Sequence, residues 1–228
     1  MNQKLHSDDG EPLSDVTRYR TLVGSLVYLT ISRPDIAYAV HVVSQFVAAP
    51  RTVHYAAVLR ILRYLRGTLT RSLFMPSSSA LKLRAYSDAD WASNVTDRKS
   101  VTGYCIFLGD SLISWRAKKQ HIVSRSSTES EYRAMADTTV EIVWFRRLLA
   151  DMGVSLPDPT PLYCDNKSAI HISANPVFHE RTKHIEIDCH ITRHHLQART
   201  ISLPFVGTEN QLADCFTKAL PSHRFLFL

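Results

Sequence analysis

Leu81-Lys82-Leu83-Arg84-Ala85-Tyr86-Ser87-Asp88-Ala89-Asp90 alternates in polarity through Ser87 and then ends on acids two positions apart. Leu81–Ser87 reads as a strand, and residues two apart on a strand share a face. Two further strand-like runs follow, Val101–Leu108 and Leu112–Trp115, joined by Gly109-Asp110, which suits a tight hairpin. A long helical pattern runs from about Thr128 to Met152. Then come a short strand at Pro161–Cys164, a helix near Lys167–Ser173, and a His-rich segment from His179 to His195 whose second half reads as helical. A strand at Thr200–Val206 and a helix at about Glu209–Leu220 complete the chain. The order β-β-β-α-β-α-α-β-α predicts an α/β fold: a mixed sheet of three antiparallel strands followed by parallel ones, with helices on both faces.

Upstream of this block the texture changes near residue 72, and Pro76 with Ser77–Ser79 reads as a turn or linker. Residues 18–78 form a small helical segment with three amphipathic patterns. The first repeats Tyr19, Leu22, Val23, Leu26 and Val27. The second has Pro34 near its start, the stripe Ile36, Val40, Val43 and Val47, and Pro50 as its stop. The third is capped by Thr52, carries Tyr55, Val58, Leu62 and Leu65, and ends at Gly67. Residues 1–17, rich in Asp, Ser and Gly, read as a flexible lead, and residues 79–228 as the main domain.

With 228 residues and 45% hydrophobic composition the chain can bury one large core or one core plus a smaller one. No apolar run reaches the ~20 residues of a membrane helix, and Met1–Gly10 lacks the apolar centre of a signal peptide. An intracellular protein, cytoplasmic or nuclear and not secreted, is expected. Cys105, Cys164, Cys189 and Cys215 are scattered, which argues against a disulfide framework or a zinc ribbon. The net charge of +6 is compatible with a polyanionic partner without requiring one.

Several acids fall where chemistry could use them, and each also has an ordinary structural role open to it. Asp88 and Asp90 could face one site or simply end a solvated strand. Glu129 and Glu131 lie about 200° apart around a helix and cannot both face one site. Glu131 aligns with Met135, Thr138, Ile142, Phe145 and Leu149 and so points toward the core. Glu129 fits a capping box with Ser126 and a solvent-side pair with Arg133. A buried Glu131 needs a partner, whether a metal ion, an arginine or backbone donors. Asp165 follows a strand, where ligands often bind in open α/β sheets, but could equally cap the next helix. Asp214 and Lys218 read as an exposed i, i+4 pair. Divalent-metal nucleases need several such carboxylates converging on one point.

Six ordered motifs carry a resemblance to a known family. They are Tyr86-Ser87-Asp88-Ala89-Asp90-Trp91-Ala92; Ser114-Trp115 with Lys118-Lys119-Gln120; Ser126-Ser127-Thr128-Glu129-Ser130-Glu131-Tyr132; Tyr163-Cys164-Asp165-Asn166-Lys167-Ser168-Ala169; Arg181-Thr182-Lys183-His184-Ile185; and Gln211-Leu212-Ala213-Asp214. Over residues 18 to 220 the chain resembles the ribonuclease H domain of copia-type retrotransposon Pol polyproteins. The resemblance implies a ribonuclease H-like fold, a five-stranded mixed sheet flanked by helices. It also implies two Mg²⁺ (or Mn²⁺) ions on Asp88, Glu131, Asp165 and Asp214, and cleavage of the RNA strand of RNA·DNA hybrids. The choice of Asp88 over Asp90 rests on it. Residues 18–70 resemble the thumb and connection of the reverse transcriptase, the remainder of which is the partner in an intact element. The polymerase motif Tyr-x-Asp-Asp is absent, so DNA synthesis is not expected. The chain stops at Phe227-Leu228 where the family runs on, and a non-catalytic nucleic-acid-binding remnant is the alternative. A DDE-type integrase ranks behind both, because its acidic motifs differ.

Phosphate contacts are expected from Lys118, Lys119 and Arg125, with Asn166 and His184 near the site, and from Arg60, Arg63 and Arg66 on the third helix. His179 or His184 could assist proton transfer or product release. Cys189 with His190, His194 and His195 could bind a metal only by accident. Trp91 and Trp115 are expected in the core.

Overall fold

The computed structural model describes residues 5–175 and 185–225. The strands are β1 (Leu83–Asp90), β2 (Val101–Leu108), β3 (Ser111–Lys119), β4 (Thr160–Tyr163) and β5 (Ile201–Ser202). They form one sheet in the order β3-β2-β1-β4-β5. β1, β2 and β3 pair antiparallel, whereas β4 pairs parallel with both β1 and β5. This is the five-stranded mixed sheet that the element order predicts, with three antiparallel strands followed by parallel ones.

The helices are α1 (Val16–Leu29), α2 (Ala37–Ser44), α3 (Thr52–Gly67), α4 (Ser127–Asp151), α5 (Lys167–Ala174), α6 (Glu186–Gln197) and the short α7 (Ser222–Phe225). Alternation along the strands divides them between two cores. Leu83, Ala85, Tyr104, Ile106 and Leu162 face Tyr132, Met135, Ile142 and Leu149 of α4, with Cys189 of α6 behind. Tyr86, Cys105 and Phe107 look the other way, onto Ala37 of α2 and onto Ala213 and Phe216. A separate apolar core holds α1, α2 and α3 together around Tyr19, Val23, Val40, Val58 and Ile61. The Tyr19 hydroxyl donates to the Val43 carbonyl inside it, which satisfies a polar atom that would otherwise be buried alone.

Several boundaries differ from expectation for identifiable reasons. β1 begins at Leu83 and runs on through Asp90, so both acids belong to the strand. β3 extends to Lys119. α2 stops at Ser44, well before Pro50, and a 3-10 turn, Pro34–Ile36, precedes it. Thr52 is the first residue of α3, and Arg51 is the N-cap; the Thr52 hydroxyl instead accepts from the Glu11 amide. β5 is only two residues long, because Pro204 has no N–H to give the ladder. Pairing resumes at a Cys164–Phe205 bridge.

The expected helix over Glu209–Leu220 is instead a pair of 3-10 turns, Thr208–Asn210 and Leu212–Phe216. Gln211 is extended between them. Its side chain accepts from the Ala213 amide and donates to the Ser87 carbonyl, contacts that compete with a continuous helix. Residues 5–15 run beside α3: the Gly10 carbonyl accepts from Arg51, and His54 bonds the His6 carbonyl. No helix among the described residues is long and apolar enough to cross a membrane.

Candidate metal centre

The site forms where β1, α4, the end of β4 and the turn Leu212–Phe216 meet. Asp88 lies on β1 opposite Gly103 of β2. A Cβ at residue 103 would stand 2.5 Å from Thr217 Cγ2, 3.0 Å from Phe216 Cβ and 3.1 Å from the Ala213 carbonyl oxygen. Glycine at this position lets the turn carrying Asp214 lie directly on the sheet beside Asp88. Gln211 fastens the same turn to β1 through the Ser87 carbonyl, 3.0 Å away.

Glu131 comes from the first turns of α4. Ser126 caps this helix by accepting from the Glu129 amide, and Glu129 reaches back to the Arg125 amide at 2.7 Å. The cap sets the rotation of the helix and turns Glu131 toward β1. Glu129 is not on the solvent side, as the pattern implied. It is buried with Arg133, which also approaches Asp188, because α6 covers that face. Asp165 follows β4 and accepts from the Thr208 hydroxyl at 3.1 Å. Asn166, not Asp165, caps α5, through the Ala169 amide.

Asp88, Asp165 and Asp214 each offer a carboxylate oxygen within 4.8 Å of the others, and Glu131, Cys164 and Asp165 form an overlapping set at the same separation. Asp88 and Asp214 are 1% and 0% exposed, so the expected surface pair of Asp214 with Lys218 is corrected: the acid is interior. Three polar side chains absent from the motif reading complete the arrangement. The Thr217 hydroxyl donates to Asp88. Lys218 Nζ lies 2.9 Å from Asp214 and 3.3 Å from Asp88. Arg224 reaches Asp214 at 2.8 Å. Sequence spacing could reveal only the Asp214–Lys218 half of this, since Asp88 is 130 residues from Lys218.

The electrostatics follow from crowding acids in a dry place. Burial, with the charges of Asp88 and Asp165, pushes the Glu131 carboxyl well above the usual range, against which the Ala89 amide and Lys218 act. Asp214 is raised by burial and by Asp88, with Lys218 and Arg224 opposing. Burial also drives the Cys164 thiol far up, so it stays protonated in the metal-free protein. Glu131 Oε2 is buried with no hydrogen-bond partner. Four carboxylates, one with an unsatisfied buried oxygen, make a predominantly hard donor set that fits Mg²⁺ or Mn²⁺.

The remaining predicted residues are dispersed around this centre. Lys118 and Arg125 are exposed on β3 and before α4. Lys119 is held by Asp97 at 2.7 Å. Asp90 lies at the end of β1. His179 and His184 fall outside the described residues. Cys189 is buried while His190 and His194 are exposed, and no metal-ligand group among the described residues includes them. Trp115 joins the α2-side core, and its indole N–H donates to the Thr30 carbonyl. Trp91 is not in the core: it is 47% exposed and donates to Ser124.

No family model matches the chain. It is 48% identical over 222 residues to the retrovirus-related Pol polyprotein from transposon RE1 of Arabidopsis thaliana, covering 97% of this chain and 15% of that protein. Against the polyprotein from transposon RE2 of the same plant the identity is 46% over 217 residues, covering 95% and 15%. The chain thus spans about 15% of the length of these relatives. Among solved structures it is similar to LC11-RNase H1 isolated from compost, at 16% identity and a TM-score of 0.41, covering 60% of this chain and 93% of that one.

Proposed function

This chain belongs to the family of retrovirus-related Pol polyproteins of copia-type transposons, and from that premise we propose that residues 79–228 are its ribonuclease H, a Mg²⁺-dependent endonuclease for the RNA strand of RNA·DNA hybrids. The observation that carries the reading is that Asp88, Asp165 and Asp214 offer oxygens within 4.8 Å of one another, and that Glu131 joins them in an overlapping group through Asp165. Asp88, Glu131, Asp165 and Asp214 are the residues that would hold two divalent ions. Bound there, the ions would supply a nucleophilic water and stabilise the leaving oxygen.

The protein's own part is positional. Thr217 orients Asp88, Thr208 orients Asp165, and Gln211 and Gly103 fix the height of Asp214 above the sheet. Water forms a new bond to phosphorus in line as the opposite P–O bond breaks, and the departing ribose oxygen takes up a proton. Exposed Lys118 and Arg125, with Lys119, Asn166 and His184, are assigned to the phosphate backbone, which such contacts position without reading sequence. Residues 18–78 serve as a thumb- and connection-like segment of the reverse transcriptase, behind the lead 1–17. The remaining reverse transcriptase of the polyprotein is the partner, and the setting is intracellular.

A second reading, a nucleic-acid-binding remnant without activity, draws on one observation: Lys218 and Arg224 already neutralise Asp88 and Asp214. It predicts hybrid binding with a steep salt dependence and no cleavage. Cleavage of a labelled hybrid in Mg²⁺ separates the two. The ribonuclease reading expects cuts in the RNA strand alone, abolished by Asp88→Asn and by Asp165→Asn. Activity that survives both changes sinks the site assignment.

A further inference from the structure

The four acids are not equivalent in how their oxygens are engaged. Asp88 is taken at one oxygen by the Thr217 hydroxyl and approached by Lys218 at 3.3 Å. Asp214 is paired through Oδ1 with Lys218 at 2.9 Å and through Oδ2 with Arg224 at 2.8 Å. On the other side of the cluster, Glu131 Oε2 has no partner, and Asp165 accepts from the neutral hydroxyl of Thr208. Among the described residues, the ion pairs to the four acids therefore fall on Asp88 and Asp214.

We propose that Lys218 is an internal counter-ion standing between Asp88 and Asp214 in the metal-free protein, which a metal must displace to use that pair, so that the two ions bind unequally. The inference rests on the two-ion reading above and adds an order to it. The first ion would enter beside Glu131 and Asp165, where it would meet a buried carboxylate with one oxygen unpartnered. The second meets an ammonium already bound to both of its acids. A divalent ion and an ammonium cannot share that space without strong repulsion, because like charges a few ångström apart are poorly screened in a partly dry site. Lys218 is able to leave: its side chain is 36% exposed on a flexible stem, while the two acids are buried. It is therefore a positioning residue that also sets the metal concentration at which the site completes.

The test is a Mn²⁺ titration of the metal-free full chain, without nucleic acid, read by paramagnetic resonance and calorimetry, with melting temperatures measured alongside. Wild type should show one tighter and one weaker site. Lys218→Gln should tighten the weaker site on the order of tenfold or more, leave the tighter one in place, and lower the metal-free melting temperature. Lys218→Arg should behave as wild type. An unchanged or weakened second site in Lys218→Gln overturns the proposal. If that variant does not fold, the side-chain ¹⁵Nζ resonance of Lys218 in the wild type decides. It should move with the second Mg²⁺ equivalent, and a resonance that follows the first or stays still contradicts displacement. Failure of the underlying reading looks different: Asp165→Asn would then leave the tighter Mn²⁺ site intact, or wild type would bind none.

Discussion

Glu131 shows what one residue costs and contributes. It is 6% exposed on a helix face otherwise lined by Met135, Thr138 and Ile142, a position that ordinarily selects an apolar side chain. Its carboxyl is raised by burial and by Asp88 and Asp165, so the folded state keeps the proton to higher pH than the unfolded chain does. The associated stability is present below the ordinary carboxylate range and lost as pH rises through the folded value. Glu131→Gln should therefore raise the metal-free stability at neutral pH, by about 1–2 kcal/mol, and flatten this part of its pH dependence. The same variant should have no hybrid cleavage. Urea unfolding at several pH values and a cleavage assay check the two halves. Helical periodicity made this residue legible, since it separates Glu131 from Glu129. The burial of Glu129 was not legible, because it depends on α6, whose placement over α4 no local pattern encodes.

Among the elements, the turn Leu212–Phe216 matters most to the site and was the least readable. Composition favoured a helix there. A buried Gln211 bonded to a strand more than a hundred residues away made it a 3-10 turn, and only the folded register brings the two together. β1, β2 and α4, by contrast, were visible as strand-like runs and a 3.6-residue stripe, β2 at its observed bounds and the other two within a few residues of theirs. Gly103 couples the two kinds of element. Gly103→Ala would drive a methyl into Thr217, Phe216 and the Ala213 carbonyl, lifting the turn off β2 and moving Asp214 away from Asp88. The expected cost is about 1–3 kcal/mol, the usual range for overpacking. Metal affinity should fall more steeply than stability does, and denaturant midpoints set beside Mn²⁺ titrations would reveal that disproportion. Gln211→Leu should act in the same direction, because it leaves the Ser87 carbonyl buried without its donor.

Across the whole molecule, the three-helix segment is seated on the α2-facing side of the sheet. Trp115 donates to Thr30, Asn94 to Gln45, and a cleft of about 410 Å³ lined by Val27, Ile31, His41 and Trp115 lies along the seam. His41 is pushed down to about 4 by burial and by the charge of Lys119. A base depressed in the folded state contributes stability that is present above its unfolded value and lost as pH falls toward the folded one. Acidification from about pH 6.5 to 4 should therefore loosen this seam, with Trp115 fluorescence reporting the change. His41→Gln should remove much of that dependence. The mixed sheet and the three helical patterns before it could be read from the succession of patterns. The seam could not, because its contacts join residues 49 and 85 positions apart.

The central claim is that Asp88, Glu131, Asp165 and Asp214 form one divalent-metal centre. Anomalous diffraction from Mn²⁺-soaked crystals tests it most directly. Two peaks are expected within the cluster, each about 2 Å from its carboxylate oxygens, with Asp165 and Glu131 on the more fully occupied one. Peaks confined to surface acids, or none in the cluster at saturating Mn²⁺, would contradict it.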